Sequence, residues 1–278
     1  MDTVDEADKH FGYTLIQNVT SVTGDSRSND MRQIFQRLPW VHPAVPQPIA
    51  ELYKKRGVLL EVRKNEILKA GGENPKSFLL VRGLCAYRIN SVLKGSPSIL
   101  SLIIPGRSMC DISAAADERV NVTTVAWQDS MVLAMPPGTL NEERARDPEF
   151  GRLLMEDVIA KQESHIEGMV ANFTLDPQDR LRTLLKVLLT SYGIPVRDGA
   201  VVPLLLNNTQ YGQIVNLTRV SVSRIFSKWE AEGLIRKDGR AISVRRALFD
   251  PVYDWLDGTG AAQSTRLSGY GRSAQSAA

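Results

Sequence analysis

The sequence predicts an α+β protein with an N-terminal β-barrel or jelly roll, one long helix and a C-terminal winged helix-turn-helix. Three observations predict this order. Turn residues recur about every eleven or twelve positions between Gly57 and Asp129, which is typical of short strands. Helical periodicity then runs without a proline from residue 150 to residue 173, and a basic pair of helices precedes a hairpin signal at Asp238-Gly239.

Composition limits the possible classes of protein. The 278 residues are 43% hydrophobic and 23% charged, which excludes a collagen, a coiled-coil rod and a wholly disordered chain. The net charge is only +3, but residues 204–247 hold eight Lys and Arg against three Asp and Glu. A surface that binds polyanions is therefore expected in this one segment.

The N-terminus and the two cysteines suggest where the protein acts in the cell. The N-terminus is acidic and no run of about 18 apolar residues occurs, so we expect a cytoplasmic protein without a membrane partner. The two cysteines, Cys85 and Cys110, are too few for a disulfide framework and are not spaced as metal ligands. We expect small buried hydrophobes, with a redox or ligand role as the alternative.

The first parts of the chain are an arm and a β-domain. Residues 1–45 are predicted to form a polar arm with a short helix near Met31–Leu38, followed by a break where four prolines lie between Pro39 and Pro48. Residues 46–140 are predicted to form the barrel. Its expected strands are Val58–Val62, Phe78–Val81, Ile99–Ile104, Val120–Trp127 and Met131–Met135.

Residues 141–175 are predicted to form a dimerisation helix. Its apolar residues recur at helical spacing over roughly seven turns. One β-domain cannot cover both sides of such a rod, so the remaining stripe is expected to pair with a second copy of the chain. Burial of the helix against its own barrel is the alternative. Asp176-Pro177 ends the rod and begins a helix over Leu181–Leu189.

Residues 176–247 are predicted to form the winged helix-turn-helix. A helix over Thr209–Val215 is followed by a turn at Asn216-Leu217 and a second helix that Thr218 caps and that runs to about Glu232. Helical spacing turns four residues of the second helix to the core: Val222, Ile225, Phe226 and Trp229. The hairpin between Leu234 and Val244 forms the wing.

The exposed side of the second helix has the chemistry of a recognition helix. Arg219 and Arg224 can bind a guanine edge, and the hydroxyls near the helix N-terminus can hold phosphates. The alternative is a basic, solvated helix in an ordinary α+β domain. The predicted DNA contacts are Thr209, Thr218, Arg219, Val220, Ser221, Ser223, Arg224, Lys228 and Arg240.

One set of residues in the helix pair and before the wing matches a known pattern: Gly212, Ile214-Val215, Arg219, Ser223-Arg224 and Leu234-Ile235. With these residues, positions 46–247 resemble the Crp/Fnr superfamily of dimeric bacterial transcription regulators. The resemblance implies a homodimer that binds an inverted repeat in double-stranded DNA, with RNA polymerase as a candidate partner. The family usually has a glutamate where this chain has Val220, which leaves only an apolar contact to a thymine methyl and implies an unusual operator.

The same resemblance implies an effector pocket in the barrel. Where nucleotide-binding relatives carry glycine, glutamate, arginine and serine, this chain has Cys110, Asp111, Val120 and Asn121. A buried cyclic phosphate needs a fixed cation, and the neighbouring Arg119 is expected to face the other side of its strand. Cyclic nucleotide is therefore not the expected effector. The candidate pocket residues are Cys110, Asp111, Arg119, Asn121 and His165.

The iron-sulfur cluster and the haem that some relatives bind would each need particular ligand residues in this chain. No cysteine precedes Cys85, so no iron-sulfur cluster is expected. Haem remains a candidate because Cys110 and His165 lie where relatives hold their effector, although Ile112 stands where a histidine ligand would be wanted. We expect Cys110 and His165 to be core and dimer-interface residues. An organic effector and a redox switch stay open.

Two functional hypotheses remain, with an enzyme ranked last. In the first, an effector in the barrel repositions two recognition helices through the long helix. In the second, a degenerate barrel is only a scaffold for dimerisation or partner binding, with effector-independent DNA binding or none. Against an enzyme, the three histidines, His10, His42 and His165, are scattered in the sequence. Residues 248–278 are predicted to be a short helix, Phe249–Leu256, and a disordered tail.

Overall fold

The structure is a computed structural model that describes residues 38–70, 76–89, 97–111, 122–192, 194–196, 199–203, 206–238 and 241–249. Several predictions lie outside these residues. They are the arm and its short helix up to residue 37, Arg119, Asn121, Arg240 and the tail from residue 250.

The N-terminal strands form two four-stranded antiparallel sheets. The first has the order β1-β8-β3-β6 and the second the order β2-β7-β4-β5. No hydrogen-bonded closure joins them among the described residues, so the prediction of a β-domain is confirmed in its two-sheet form rather than as a closed barrel. The strands are β1 (Val58–Val62), β2 (Ile67–Lys69), β3 (Ser77–Arg82), β4 (Cys85–Ile89), β5 (Ser98–Ile103), β6 (Ser108–Met109), β7 (Val122–Ala126) and β8 (Ser130–Met135).

A helix, α1 (Gln47–Arg56), precedes the strands and was not predicted. The sequence interpretation took the prolines before it as a break. Pro46 in fact occupies the N-cap and Pro48 lies in the first turn, where a helix needs no backbone N–H donor. Ile49 and Tyr53 are buried and hold α1 on the β-domain.

Two helices, not one, occupy the segment predicted as the dimerisation helix. The short helix α2 (Thr139–Arg146) ends at Asp147, and the long helix α3 (Pro148–Thr174) begins there. The Asp147 carboxylate accepts hydrogen bonds from the backbone N–H groups of Glu149, at 2.9 Å, and Phe150, at 3.3 Å. This cap fixes the start of a 27-residue helix.

One side of α3 is packed against the segment that precedes α1. Trp40 has a left-handed backbone with a φ of 60° and lies on Gly168. A Cβ on Gly168 would be 2.7 Å from Cδ1 of Trp40, so only glycine permits this approach. The Ser164 hydroxyl is 2.6 Å from the carbonyl oxygen of Leu38 and 2.8 Å from that of Val41.

The C-terminal part contains the predicted helix pair and hairpin. It consists of α4 (Pro177–Tyr192), β9 (Ile194–Val196), β10 (Gly199–Pro203), α5 (Asn208–Val215), α6 (Arg219–Ala231), β11 (Ile235–Asp238), β12 (Ala241–Arg245) and a 3₁₀ turn (Arg246–Phe249). The predicted two-stranded wing is larger than expected, because β9 and β10 extend it to a four-stranded sheet of order β11-β12-β10-β9.

The core is continuous between the β-domain and the helix pair. Leu102 of β5 and Val125 of β7 belong to the same buried cluster as Tyr211, Ile214 and Phe226. Helix α5 packs directly against β5. The exposed face of α6 therefore stands on a base that includes the β-domain.

Candidate DNA-binding surface and buried polar cluster

The turn between α5 and α6 requires a glycine at position 212. Asn216 ends α5 in the left-handed conformation, with a φ of 54°, and the Leu217 N–H donates to the Gly212 carbonyl at 2.9 Å. A Cβ on Gly212 would be 2.4 Å from the carbonyl oxygen of Leu217. The glycine thus lets the two helices approach at this angle.

Helix α6 begins as predicted, with Thr218 as its N-cap. The Thr218 hydroxyl oxygen accepts a hydrogen bond from the Ser221 N–H at 3.1 Å, and the two side-chain oxygens are 2.9 Å apart. Both hydroxyls therefore organise the helix N-terminus, the end that carries positive partial charge.

The two sides of α6 differ as the helical spacing predicts. Val222, Phe226 and Trp229 are fully buried, and Ile225 is half-buried against the same core. The outer face carries exposed side chains, among them Val220 with 58% of its surface accessible. The other exposed predicted contacts on α6 are Arg219, Ser223, Arg224 and Lys228.

A cleft of about 490 Å³ joins the start of α5, the start of α6 and the wing. Thr209, Arg219 and Lys237 line it over a floor that includes Phe226. Lys237 was not among the predicted contacts, because a lysine on a strand gives no spacing signal. Its Nζ lies 5.4 Å from the centre of the Phe226 ring and 3.3 Å from Oε2 of Glu230.

The predicted effector residues within the described part of the chain are buried. Cys110, Asp111 and His165 are at most 5% exposed. They lie around two residues that the sequence interpretation did not select, His42 and Lys161.

Lys161 on α3 is fully buried between two carboxylates. Its ammonium donates hydrogen bonds to Asp111, to Asp157 one turn earlier, and to the Ser108 hydroxyl at 2.6 Å. Ser108 donates in turn to Asp111 at 2.9 Å. Burial opposes the charge on Lys161, but the two carboxylates outweigh it and raise the lysine pKa.

The two carboxylates respond differently to burial. Desolvation would raise the pKa of Asp111, but the Lys161 charge keeps this pKa below its usual value. For Asp157, desolvation raises the pKa to about 6. The attraction of Lys161 opposes this rise, and the negative charge of Asp111 adds to it. Asp111 is therefore ionised at neutral pH. Of the two carboxylates, Asp157 has the pKa closer to neutral pH.

His42 and His165 are in contact, which corrects the interpretation of the histidines as scattered. Their Nε2 atoms are 3.1 Å apart, and Nδ1 of His42 donates to the Ser108 carbonyl at 3.0 Å. Burial, with the nearby Lys161 charge, lowers the pKa of His165 to about 4. Burial, His165 and Lys161 lower the pKa of His42 well below 6.5.

The surroundings of Cys110 do not fit a haem. Its N–H donates to the Tyr87 hydroxyl at 2.7 Å, and its sulfur is 3.3 Å from Oγ1 of Thr124. The cavity beside these residues measures about 10 Å³, room for one water molecule. Cys85 is also buried, which raises its thiol pKa to about 12 and keeps it a thiol.

Groups of metal-binding side chains and membrane-spanning helices are both absent from the described residues. Within them, His, Cys, Asp and Glu side chains do not assemble in threes as an ion-binding group. The described helices also include none with the length and hydropathy needed to cross a bilayer.

Comparisons with known proteins agree with this geometry. Residues 180–247 match the family of Crp-like helix-turn-helix domains, and this range contains α5, α6 and the wing. The global nitrogen regulator of Synechococcus elongatus is 24% identical over 196 residues, which cover 68% of this chain and 84% of that protein. The regulatory protein HlyX of Actinobacillus pleuropneumoniae is 20% identical over 187 residues, 66% of this chain and 77% of that protein.

The fold is likewise shared with a solved structure. FixK2 from Bradyrhizobium japonicum superposes with a TM-score of 0.62 at 18% identity, over 70% of this chain and 96% of that one. The helix pair, the basic exposed face of α6 and these relatives lead to one conclusion. Residues 180–247 form a Crp-like helix-turn-helix domain, and the relatives support a DNA-binding transcription regulator of Crp/Fnr type.

Proposed function

We propose that the protein is a homodimer that binds an inverted repeat in double-stranded DNA, with one recognition helix α6 in each half-site. The observation that carries the proposal is the exposed face of α3. Between residues 152 and 173 this helix exposes seven positions, and five of them are apolar. They are Met155, Ile159, Ile166, Met169 and Phe173, each 44% to 86% accessible.

These five residues and Gln162 form what we call the α3 seam. Successive members are four, three, four, three and four positions apart, the repeat of a coiled-coil contact line. A large exposed apolar stripe at this spacing fits a second copy of the same helix, and the single polar member, Gln162, fits a residue that fixes register. Residues 141–175 thus serve as the dimerisation segment, as the sequence predicts.

In this proposal residues 176–247 read DNA and residues 46–140 are the sensor or scaffold. The proposed DNA contacts on α5 and α6 are exposed or half-exposed, and the Lys237 side chain adds a cation beside them. The wing residue Arg240 stays a proposed contact. The protein acts where bacterial DNA lies, in the cytoplasm, and RNA polymerase is a proposed further partner.

Selection of bound sequences from randomised DNA duplexes tests whether the protein binds DNA sequence-specifically. We expect the wild-type protein to retain an inverted repeat with half-sites about one helical turn apart. Arg224→Ala should lose this enrichment while its thermal unfolding stays unchanged, because Arg224 is exposed. Lys55→Ala, which removes an exposed charge from α1, is the control and should behave as wild type. Enrichment that survives in Arg224→Ala would contradict the proposed readout.

The dimer is tested by Ile166→Glu, which puts a charge in the middle of the α3 seam. We expect a monomer by analytical ultracentrifugation and the loss of two-half-site binding. Glu167→Gln, one position along the same helix but outside the seam, should remain dimeric. A dimeric Ile166→Glu variant would contradict pairing through the seam.

A second form of the function is a regulator that needs no small effector. The buried Lys161 cluster favours it, because Asp111, a predicted pocket residue, is already held by a side chain of the same chain. Its test is DNA affinity at fixed salt with and without a panel of nucleotides and metabolites. An unchanged affinity supports effector independence, and an affinity that changes with one compound supports an effector in the β-domain.

A further inference from the structure

Three parts of the chain meet at one buried group of side chains. Lys161 and Asp157 belong to α3, whereas Ser108 begins β6 and Asp111 lies two residues after that strand. His42, from the segment before α1, joins them through the Ser108 carbonyl. We call Lys161, Asp111 and Asp157 the α3 lock; each is at most 3% exposed.

The lock is unlike the other ion pairs of α3. Arg152 also lies between two carboxylates, Glu149 and Glu156, but these side chains are 42% to 63% exposed. Exposed pairs contribute little to rigidity because water screens them. In the lock, Oδ1 of each aspartate has no hydrogen-bond partner among the described residues, and Lys161 is the cation that pairs with both carboxylates.

The far end of α3 is joined to the helix pair. The Asn172 side-chain amide donates to the Ile214 carbonyl at 3.1 Å. Arg180 donates to the Leu175 carbonyl at 2.8 Å and to the Val215 carbonyl at 3.4 Å. The acceptors Ile214 and Val215 end α5, immediately before the turn into α6. A change in the placement of α3 on the β-domain is therefore transmitted to the recognition helix.

We propose that Lys161 is a positioning residue for DNA recognition: by holding Asp111 and Asp157 together it fixes α3 on the β-domain and sets the distance between the two recognition helices. The proposal rests on the proposed homodimer. Lys161 touches no DNA, because its side chain is fully buried inside the protein. The lock supplies from within the chain the rigidity that a bound effector would otherwise supply.

The test removes the lock without leaving a buried charge unpaired. The triple variant Lys161→Met, Asp111→Asn, Asp157→Asn replaces all three members by neutral groups of similar size, an exchange that buried ion pairs commonly tolerate. The matched control is Arg152→Met, Glu149→Gln, Glu156→Gln, which removes one cation and two carboxylates from the exposed side of the same helix.

Each protein is tested against duplexes that carry two half-sites at graded spacings and against a single half-site. Wild type and control should prefer one spacing. The lock variant should remain a folded dimer with unchanged single-half-site affinity, but lose about tenfold at the preferred spacing and bind neighbouring spacings more evenly. Unchanged spacing preference in the folded lock variant would overturn the inference and leave Lys161 a structural residue.

The same experiment distinguishes three outcomes. If the triple variant does not fold, Asp157→Asn alone keeps the Lys161–Asp111 pair and should broaden the spacing preference to a smaller extent; no broadening overturns the inference. If wild type binds no paired half-sites at all, the proposed dimeric function fails first. If wild type has a preferred spacing that the lock variants share, only the role of Lys161 fails.

Discussion

The Nε2 atoms of His42 and His165 are 3.1 Å apart although the two residues are 123 positions apart in the sequence. Nδ1 of His42 must donate to the Ser108 carbonyl, because a carbonyl cannot donate. In a neutral His42 ring, Nε2 is then an acceptor that a protonated Nε2 of His165 can donate to, and the Ser101 hydroxyl lies at the same 3.1 Å from Nε2 of His165. A further proton has to enter a buried site near the Lys161 charge, which explains the low pKa of both rings.

This arrangement predicts sensitivity to acid. The pKa of His165 is about 4 in the folded protein against 6.5 for a free imidazole, so the unfolded chain binds more protons between these values. His165 therefore destabilises the fold as the pH falls from 6.5 to 4, by about 3 kcal/mol at most. Urea unfolding at graded pH should show a smaller acid-induced loss in His165→Gln than in wild type.

Asp157 provides the opposite control. Its pKa is raised to about 6 from 3.8, so the folded state binds more protons and gains stability as the pH falls through this window. Asp157→Asn should therefore make the acid-induced loss steeper than in wild type. Parallel pH dependence in all three proteins would contradict both assignments.

Val220 predicts a dependence of binding on thymine methyl groups. An exposed apolar side chain between Arg219 and Arg224 has no hydrogen bond to offer a base, but it can contact the C5-methyl group of thymine. Replacing one thymine of the selected half-site by deoxyuridine should weaken wild-type binding about fourfold, the effect of about 0.8 kcal/mol for one methyl group. Val220→Ala should not distinguish the two duplexes. Equal sensitivity in both proteins would exclude this contact.

Lys237 predicts a change in salt dependence. Its ammonium lies beside the cleft that also contains Thr209 and Arg219, a position suited to a phosphate. Lys237→Ala should lower affinity for all sequences alike and reduce the slope of log affinity against log salt by about 0.9. Lys55→Ala should leave the slope unchanged. If Lys237→Ala has the same slope as wild type, Lys237 does not contact a phosphate.

The Gly212→Ala substitution should weaken DNA binding although Gly212 is not a predicted DNA contact. In Gly212→Ala the new methyl group meets the Leu217 carbonyl, so α5 and α6 must separate. We expect a loss of about 1–3 kcal/mol in unfolding free energy, together with weaker operator binding. Gln213→Ala, the next position on α5, should cost less. Wild-type thermal stability in Gly212→Ala would show that the turn relaxes freely.

The sequence predicts those elements whose signal is local. The helices α3, α5 and α6 follow from regular apolar spacing, and Thr218 was recognised as an N-cap from its place before such a run. Helix α1 was missed because proline signals both a break and a first turn. The strands β2 and β6 were not predicted, since runs of three and two residues carry little periodicity, and β4 was not predicted although it is as long as β1.

The buried cluster could not be predicted in this way. Asp157 and Lys161 are one helical turn apart, and this spacing is usual for solvated ion pairs. Their burial depends on Asp111 and Ser108, about fifty positions earlier in the chain. A single sequence does not contain such distances, so neither Asp157 nor Lys161 was selected as a candidate site residue.

The continuous core between β5 and α5 has a consequence for engineering. A fragment cut at residue 176 would leave Tyr211 and Ile214 without the Leu102 side of their cluster and would expose apolar surface to water. Chimeras that graft this DNA-reading part onto another regulator's sensor should therefore aggregate unless the β5 surface is transplanted as well. The smallest portable unit of this regulator is larger than its helix-turn-helix.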